Sequence, residues 1–348
     1  MFFKNKGIIG LDIGSNALKV AELKESRGGY QLRSIGEAFL PPESIVNKVI
    51  TKPEVVSDHI STLIKDLGIK NKNVVISVSG HSVIIKKVTL PAMSDAELSE
   101  SIPWELEQYL PQSIEDVNYD FQILPGETPE GNMDVLIVAA KKDITNEYVN
   151  LVSDIGLRPV IVDVDVFALE NMYEINYDPS EGLVALVNIG ASVTNINILK
   201  DGISVFTRDI STGGNQFTEW LMKELNIDFV EAEQMKYNLG KENTPPEVER
   251  VTSDFTDLIS GEIKRTLDFF VSNFWKDRIS DIILGGGSSK VPDLSEVLKD
   301  VTDTNVEMVN PFKKIQVSDS DFDPSYITDI SPKMGVVVGL ALRTIGDK

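Results

Sequence analysis

The 348-residue chain contains no cysteine, which excludes disulfides, thiolate metal sites and cysteine nucleophiles. Histidine occurs only twice, at His59 and His81, too few and too widely separated for an imidazole metal site. Basic residues are the minority, 33 Lys and Arg against 54 Asp and Glu, giving a formal charge of −21. Nothing forms the basic stripe that a phosphate backbone selects, so nucleic acid is not an expected partner. Long apolar runs are also missing. No stretch approaches the ~18 residues of a spanning helix, and the opening MFFKNKGIIGLD lacks the apolar region and cleavage site of a signal peptide. The expectation is a cytoplasmic protein of two domains at ~150 residues each.

What the chain does carry is an internal repeat, and a repeat constrains the whole architecture. IIGLDIGSNALKVAEL (8–23) aligns with VALVNIGASVTNINIL (184–199) at an offset of 176, placing Asp12 over Asn188, Ile13 over Ile189 and Gly14 over Gly190. Each segment is an apolar run, a polar residue and glycine at a turn, then an alternating apolar run, the pattern of a β-hairpin. A second echo follows in NVVISVSG (73–80) and SDIILGGG (280–287), two buried strands running into glycine. Helical spacing precedes both. Val56, Ile60, Leu63, Ile64 and Leu67 mark 53–68, and Val251, Phe255, Leu258, Ile259, Ile263, Leu267, Phe270 and Phe274 mark one side of 248–275. Strands alternating with helices predict an α/β sheet in each half. Residues 81–160 read as a small subdomain inserted into the first half. Its strands are 83–90 and 133–142, and its helix opens on the capping pair Ser94 and Glu97 and should restart or kink at Pro103.

Glycines that follow buried strands let backbone N–H groups approach and cradle phosphate oxygens. Four such places occur: Gly14, Gly190, the pair Gly213 and Gly214, and the run Gly285, Gly286 and Gly287. Asp12 ends an apolar strand, where an ionised carboxylate is costly without a partner. A metal ion bound through water and nucleotide phosphates would supply one; an Asp capping its own turn is the simpler alternative. Lys19, in the second strand of the hairpin, is placed by strand alternation on the opposite face from Asp12, and its contact with phosphate is left open.

The segments LDIGSNALKVAEL (11–23), LVNIGASVTNINIL (186–199) and IILGGGSSKVPDL (282–294) resemble the two phosphate motifs and the adenosine motif of the actin-like ATPase superfamily. VDVDVFALEN (162–171) and ISPKMGVVVGLALR (330–343) resemble its connecting helices. Within that superfamily PWELEQYLPQSIEDVNYDFQIL (103–124), FTRDISTGGNQFTEWL (206–221) and GLALR (339–343) are similar to the PilM family of type IV pilus assembly proteins. The resemblance implies an α/β, actin-like two-domain fold of duplicated ribonuclease-H-like halves with the SHS2-type insert shared by FtsA and PilM. It divides the chain into 1–80 with 161–180 as the first half, 81–160 as the insert and 181–330 as the second half, with 331–348 packing back on the first.

The same resemblance implies ATP and Mg as cofactors. Asp12 would lie at the metal. Gly14, Ser15, Asn16 and Lys19 would stand on one side of the phosphates, with Gly190, Ala191, Gly213 and Gly214 on the other. Glu262, Lys264, Arg265, Gly285, Gly286, Gly287 and Ser288 would surround ribose and adenine. Asn188 replaces the Asp that members usually carry to orient the attacking water; it keeps the size but not the charge and cannot accept a proton as a base. Nucleotide binding is therefore expected to survive better than hydrolysis. The implied partner is a PilN-like membrane protein, held through its cytoplasmic N-terminal peptide in a groove beside 81–160, together with other pilus assembly proteins. Attachment to the inner face of the membrane is expected only through partners, and self-association is left open. Trp104, Leu106, Tyr109 and Leu110 line such a groove or form the subdomain's own core. Alternatives in the superfamily are an FtsA-like filament or division protein and a sugar- or acetate-kinase-type phosphotransferase.

Overall fold

The computed structural model describes residues 7–346 apart from 27, 126–130, 180–181, 241–243 and 276. The first half begins with β1 (Ile9–Ile13), β2 (Ala17–Ser26), β3 (Gly29–Phe39), the two-residue strands β4 (Ile45–Val46) and β5 (Val49–Ile50), α1 (Pro53–Asp66) and β6 (Asn73–Val78). There follow β7 (Val83–Pro91), α2 (Asp95–Glu107), β8 (Val117–Ile123), β9 (Asn132–Lys141), α3 (Lys142–Asp154), β10 (Arg158–Val164) and α4 (Asp165–Asn176). The second half holds β11 (Leu183–Ile189), β12 (Thr194–Lys200), β13 (Ile203–Ile210), α5 (Gly214–Leu225), α6 (Phe229–Asn238), α7 (Pro246–Asn273), β14 (Ile279–Gly285), α8 (Leu294–Thr302), β15 (Asn305–Met308), α9 (Pro324–Ile330) and α10 (Gly335–Leu342).

The two large sheets have the same topology. One runs β3-β2-β1-β6-β10 and the other β13-β12-β11-β14-β15, each an antiparallel meander extended by two parallel strands. Even the register repeats: Asp12 pairs with Lys19 and Asn188 with Asn195, at the offset of 176 found in the sequence. α4 and α10 lie between the sheets, and their Ala168, Leu169, Met172, Val337 and Leu340 share one core with Val75 of the first sheet and Leu186 and Ile283 of the second. Each half has a further core on its outer face. Ile60 and Leu63 of α1 meet Ile76 of β6 in the first, and Phe255, Ile259 and Ile263 of α7 meet Ile282 of β14 in the second. Phe274, expected on the buried side of that long helix, is 59% exposed beyond its end.

The insert is a three-stranded sheet, β7-β9-β8, covered by α2 through Leu98, Ile102 and Leu106. The Ser94–Glu97 capping box forms as expected, but the helix runs on through Pro103 without a restart. α3 falls within the expected 81–160 boundary yet packs Tyr148, Leu151 and Val152 into the core of the first half, because its apolar stripe faces β6 rather than the small sheet. The insert's own core is drawn from β7 through β9 with α2, while Val83 and Ala140 at its inner end pack with α3 on the core of the first half.

Candidate functional site

The two repeated hairpin turns have the same hydrogen bond. Gly14 N–H donates to Ala17 O at 3.1 Å, and Gly190 N–H donates to Val193 O at 3.0 Å. In the first turn Asp12 is buried and finds its partner directly across the hairpin, Lys19 Nζ lying 2.7 Å from its Oδ2. Lys19 thus shares the face of Asp12, contrary to the alternation argument. Ile13 pairs with Leu18 around the turn, so facing residues differ by an odd number and even–odd counting along the chain misleads. In the second turn Asn188 donates weakly to Asn195 at 3.4 Å, and Asn195 donates to Asp209 at 2.7 Å. Burial pushes the Asp209 carboxyl up, against the Asn195 hydrogen bond.

Three of the four glycine clusters converge on the second turn. Gly214 N–H, at the start of α5, donates to Gly190 O at 2.9 Å, and Asn215 N–H donates to Ala191 O at 2.8 Å. Ser288 Oγ donates to the same Gly190 carbonyl at 3.3 Å. A Cβ on Gly213 would lie 2.6 Å from Ala191 O, so the backbone there accepts no side chain, and one on Gly214 would lie 2.2 Å from Ser288 Oγ and displace that hydroxyl. Gly286 has a left-handed φ of 96° and passes Ile189 so closely that a Cβ would meet its carbonyl at 2.3 Å. Gly285 is buried against Val309, whereas Gly287 faces open space. The first turn reaches this group through Asn16, whose Nδ2 donates to Glu233 of α6 at 3.1 Å. Through Asn16 and Glu233 the first turn is thus tied to the contact set of the other three clusters.

Glu262, Lys264 and Arg265 are not drawn into that contact set. Arg265 pairs with Glu262, and Lys264 pairs with Asp268 at 2.7 Å, within the partly exposed face of α7. Such i,i+3 and i,i+4 pairs are what a solvated helix face makes. The acid–base pair beside the glycines comes instead from α6. Lys236 Nζ donates to Gly214 O at 3.0 Å, to Thr218 Oγ1 at 2.8 Å and to Glu233 Oε1 at 2.7 Å, and burial holds its pKa below the usual lysine range against the pull of Glu233. The run EAEQMK in FVEAEQMKYN reads as a polar helix surface, so only the i,i+3 spacing of Glu233 and Lys236 hinted at a role.

A second cation at the cleft was also missed. Lys48 stands in the turn between β4 and β5, where Asn47 and Lys48 both take left-handed φ, the two-residue hairpin that IVNKVI encodes. Its Nζ lies 3.1 Å from Asp165 Oδ2, and Ser77 Oγ donates to Asp165 Oδ1 at 2.6 Å. Burial works to lower the Lys48 pKa, but Asp165, Tyr148 and Asp12 overcome it and hold the ammonium above its usual range. Asp165 in turn stays below the ordinary carboxylate range despite its burial, because Lys48 and the Ser77 hydroxyl stabilise its charge.

The residues fit a phosphate chain. The two glycine turns carry the same hydrogen bond and are linked through Asn16 and Glu233, and Ser15 Oγ in the first is buried without a hydrogen-bond partner. No group of three or more Asp, Glu or His side chains able to hold a metal ion exists among the described residues. A magnesium ion would accordingly depend on phosphate oxygens and water, with Asp12 as its protein contact.

The candidate partner groove divides. Leu106 is fully buried in the core of the insert, while Trp104 is 73% exposed on the outer side of α2 and Tyr109 is 38% exposed beneath Lys86. Leu110 packs against the core's edge.

Compared with known proteins, residues 10–345 match the family model described as type IV pilus assembly protein PilM. A solved chain of a PilM–PilN type IV pilus biogenesis complex superimposes with a TM-score of 0.88 at 26% identity, over 99% of this chain and 100% of that one. Ethanolamine utilization protein EutJ from Carboxydothermus hydrogenoformans shares the fold, with a TM-score of 0.57 at 16% identity over 96% of this chain and 88% of that one. Cell division protein FtsA of Streptococcus pneumoniae is 22% identical over 346 residues, 87% of this chain and 75% of that protein.

Proposed function

Since the chain belongs to the PilM family of type IV pilus assembly proteins, we propose that it is a nucleotide-binding scaffold of the pilus machine rather than a fast ATPase. The observation that carries this reading is the pair of identical glycine turns on one cleft, with a buried Ser15 hydroxyl left unpaired between its neighbours. Gly14, Ser15 and Asn16 would hold phosphate oxygens from the first half, and Gly190, Ala191, Gly213 and Gly214 from the second. Glu233 and Lys236, with Gly285 to Ser288, border the space for ribose and base. Bound Mg-ATP would supply a polarised terminal phosphate, and Asp12 would orient the metal's water shell. Hydrolysis needs a group that holds water in line, and Asn188 donates its amide to Asn195 and has no carboxylate to offer. Weak or absent turnover follows.

The partner reading rests on the whole-chain likeness to the PilM of a PilM–PilN complex. A PilN-like N-terminal peptide would dock beside β7–β9 as an extended segment, and nucleotide in the cleft would control that docking. No helix of the described residues is long and apolar enough to cross a membrane. The test is fluorescence anisotropy of a labelled PilN-like N-terminal peptide titrated with the protein, with and without Mg-ATP. Saturable binding whose affinity changes with nucleotide supports the scaffold. Equal affinity in both conditions would remove nucleotide control, and no binding would remove the peptide partner.

A further inference from the structure

Every cation at the cleft is engaged by one carboxylate: Lys19 by Asp12, Lys236 by Glu233 and Lys48 by Asp165. Lys19 and Lys236 are held at 2.7 Å, the tighter of these contacts, and Lys236 is fixed by two further acceptors. Lys48 differs. Its amine makes one hydrogen bond, at 3.1 Å, on a long stem whose Cγ lies 3.5 Å from where a Cβ of Gly80 would stand. Val193, which closes the second glycine turn, lies 4.0 Å from that same point. The charge of Asp12, from the first turn, also acts on the Lys48 amine, and that of Asp209 is coupled to both Lys48 and Asp165. Lys48 is thus a largely covered amine paired with Asp165 of α4, its stem beside Gly80 and Val193 of the second turn, within electrostatic reach of Asp12 of β1 and Asp209 of β13.

Its backbone is fastened from the opposite side. Tyr148 Oη donates to Lys48 O at 3.0 Å, and the Ile50 N–H donates to Glu147, so α3 grips the hairpin at two points. The side chain can change partners while the loop stays in place.

Resting on the nucleotide reading above, we propose that Lys48 is the ligand for the terminal phosphate of a nucleoside triphosphate, and that Asp165 holds it in reserve until that phosphate arrives. An ammonium pairs as well with a phosphate oxygen as with a carboxylate, so the exchange keeps Lys48 paired. Asp165 retains the Ser77 hydrogen bond but loses its cation, and a buried carboxylate without one is costly. The exchange therefore occurs only for a ligand with a phosphate that reaches Lys48, and a diphosphate leaves the Lys48–Asp165 pair closed. The site distinguishes the two nucleotides by this one swap.

The test is calorimetric titration of the full chain with Mg-ATP and Mg-ADP, comparing wild type, Lys48→Met and Asp165→Asn. A charge-assisted hydrogen bond lost only with the triphosphate weakens Mg-ATP about tenfold or more in Lys48→Met and Mg-ADP by less than about threefold. Asp165→Asn frees the amine and should tighten Mg-ATP several-fold, which a purely structural ion pair would not do. The double variant Lys48→Met/Asp165→Asn leaves no unpaired buried carboxylate; it should fold and show the same triphosphate-selective loss. Equal weakening of both nucleotides, no change in either, or weaker Mg-ATP binding by Asp165→Asn overturns the proposal while nucleotide binding itself stands. Failure of the folded wild type to bind either nucleotide overturns the nucleotide reading and this proposal with it.

Discussion

Glu170 should make the stability of this protein fall as the solution turns alkaline. It projects from α4 into the second half, where its Oε2 accepts from Asn197 Nδ2 and its Oε1 from Ser204 N–H, both at 3.1 Å. Burial pushes its pKa from 4.5 up to about 7, against those two hydrogen bonds and with Glu174 and Asp163 adding to the rise. The folded state therefore binds a proton that the unfolded chain has released between those values. Its stabilising effect is fully present below about pH 4.5 and is lost as pH rises through about 7. At about 1.4 kcal/mol per pH unit, the loss between about pH 5 and pH 8 is roughly 2–3 kcal/mol. Glu170→Gln removes the titration while keeping one acceptor and the side-chain volume. Urea unfolding of both proteins across this range isolates the effect, since the other titrating groups are common to both. The variant should gain roughly 2–3 kcal/mol on the wild type from the acid end to the alkaline end. Parallel stability curves would refute the buried, proton-holding carboxylate.

Three further outcomes follow from the geometry. Gly286→Ala sets a methyl 2.3 Å from Ile189 O at a left-handed φ and should cost about 3 kcal/mol or more, read as a large drop in thermal midpoint. Trp104→Ala should change stability by no more than about 0.5 kcal/mol, while Leu106→Ala, two residues away in the same helix, should cost about 2–5 kcal/mol in the same assay. Replacing Glu262, Lys264 and Arg265 together by Ala should leave Mg-ATP affinity within about twofold, while Lys236→Met should lower it about tenfold or more by calorimetry.

Much of the frame was legible because backbone patterns report themselves. An apolar run, a polar residue, glycine and a second alternating run recur at 8–23 and 184–199, and the structure repeats both the hairpin and its register at that spacing. The convergence of Gly190, Gly213, Gly214 and Ser288 was legible only as a resemblance, since nothing local brings α5 onto β11. Side chains were harder. Glu262, Lys264 and Arg265 read as a solvated helix face and are set at ribose and adenine only by the resemblance; the structure pairs Glu262 with Arg265 and Lys264 with Asp268 along that face. Lys48 and Lys236 carry no such mark, because one sits on a hairpin of two-residue strands and the other in a polar helix, and only the fold brings Lys236 to Gly214 and Lys48 to Asp165. The packing of α3 onto the first half was hidden for a similar reason. The apolar stripe of α3 says that the helix is half buried, but not which of two sheets buries it.

The central claim, that the cleft between the two hairpin turns is a nucleotide site of a scaffold, is tested most directly by calorimetric titration of the full chain with ATP in the presence and absence of magnesium. Asp12→Ala serves as control, and phosphate release is followed on the same samples. The account predicts saturable, magnesium-dependent binding that is lost in Asp12→Ala, with negligible phosphate release. A folded wild-type protein that takes up no ATP, or one that releases phosphate at the rate of a working ATPase, would contradict it.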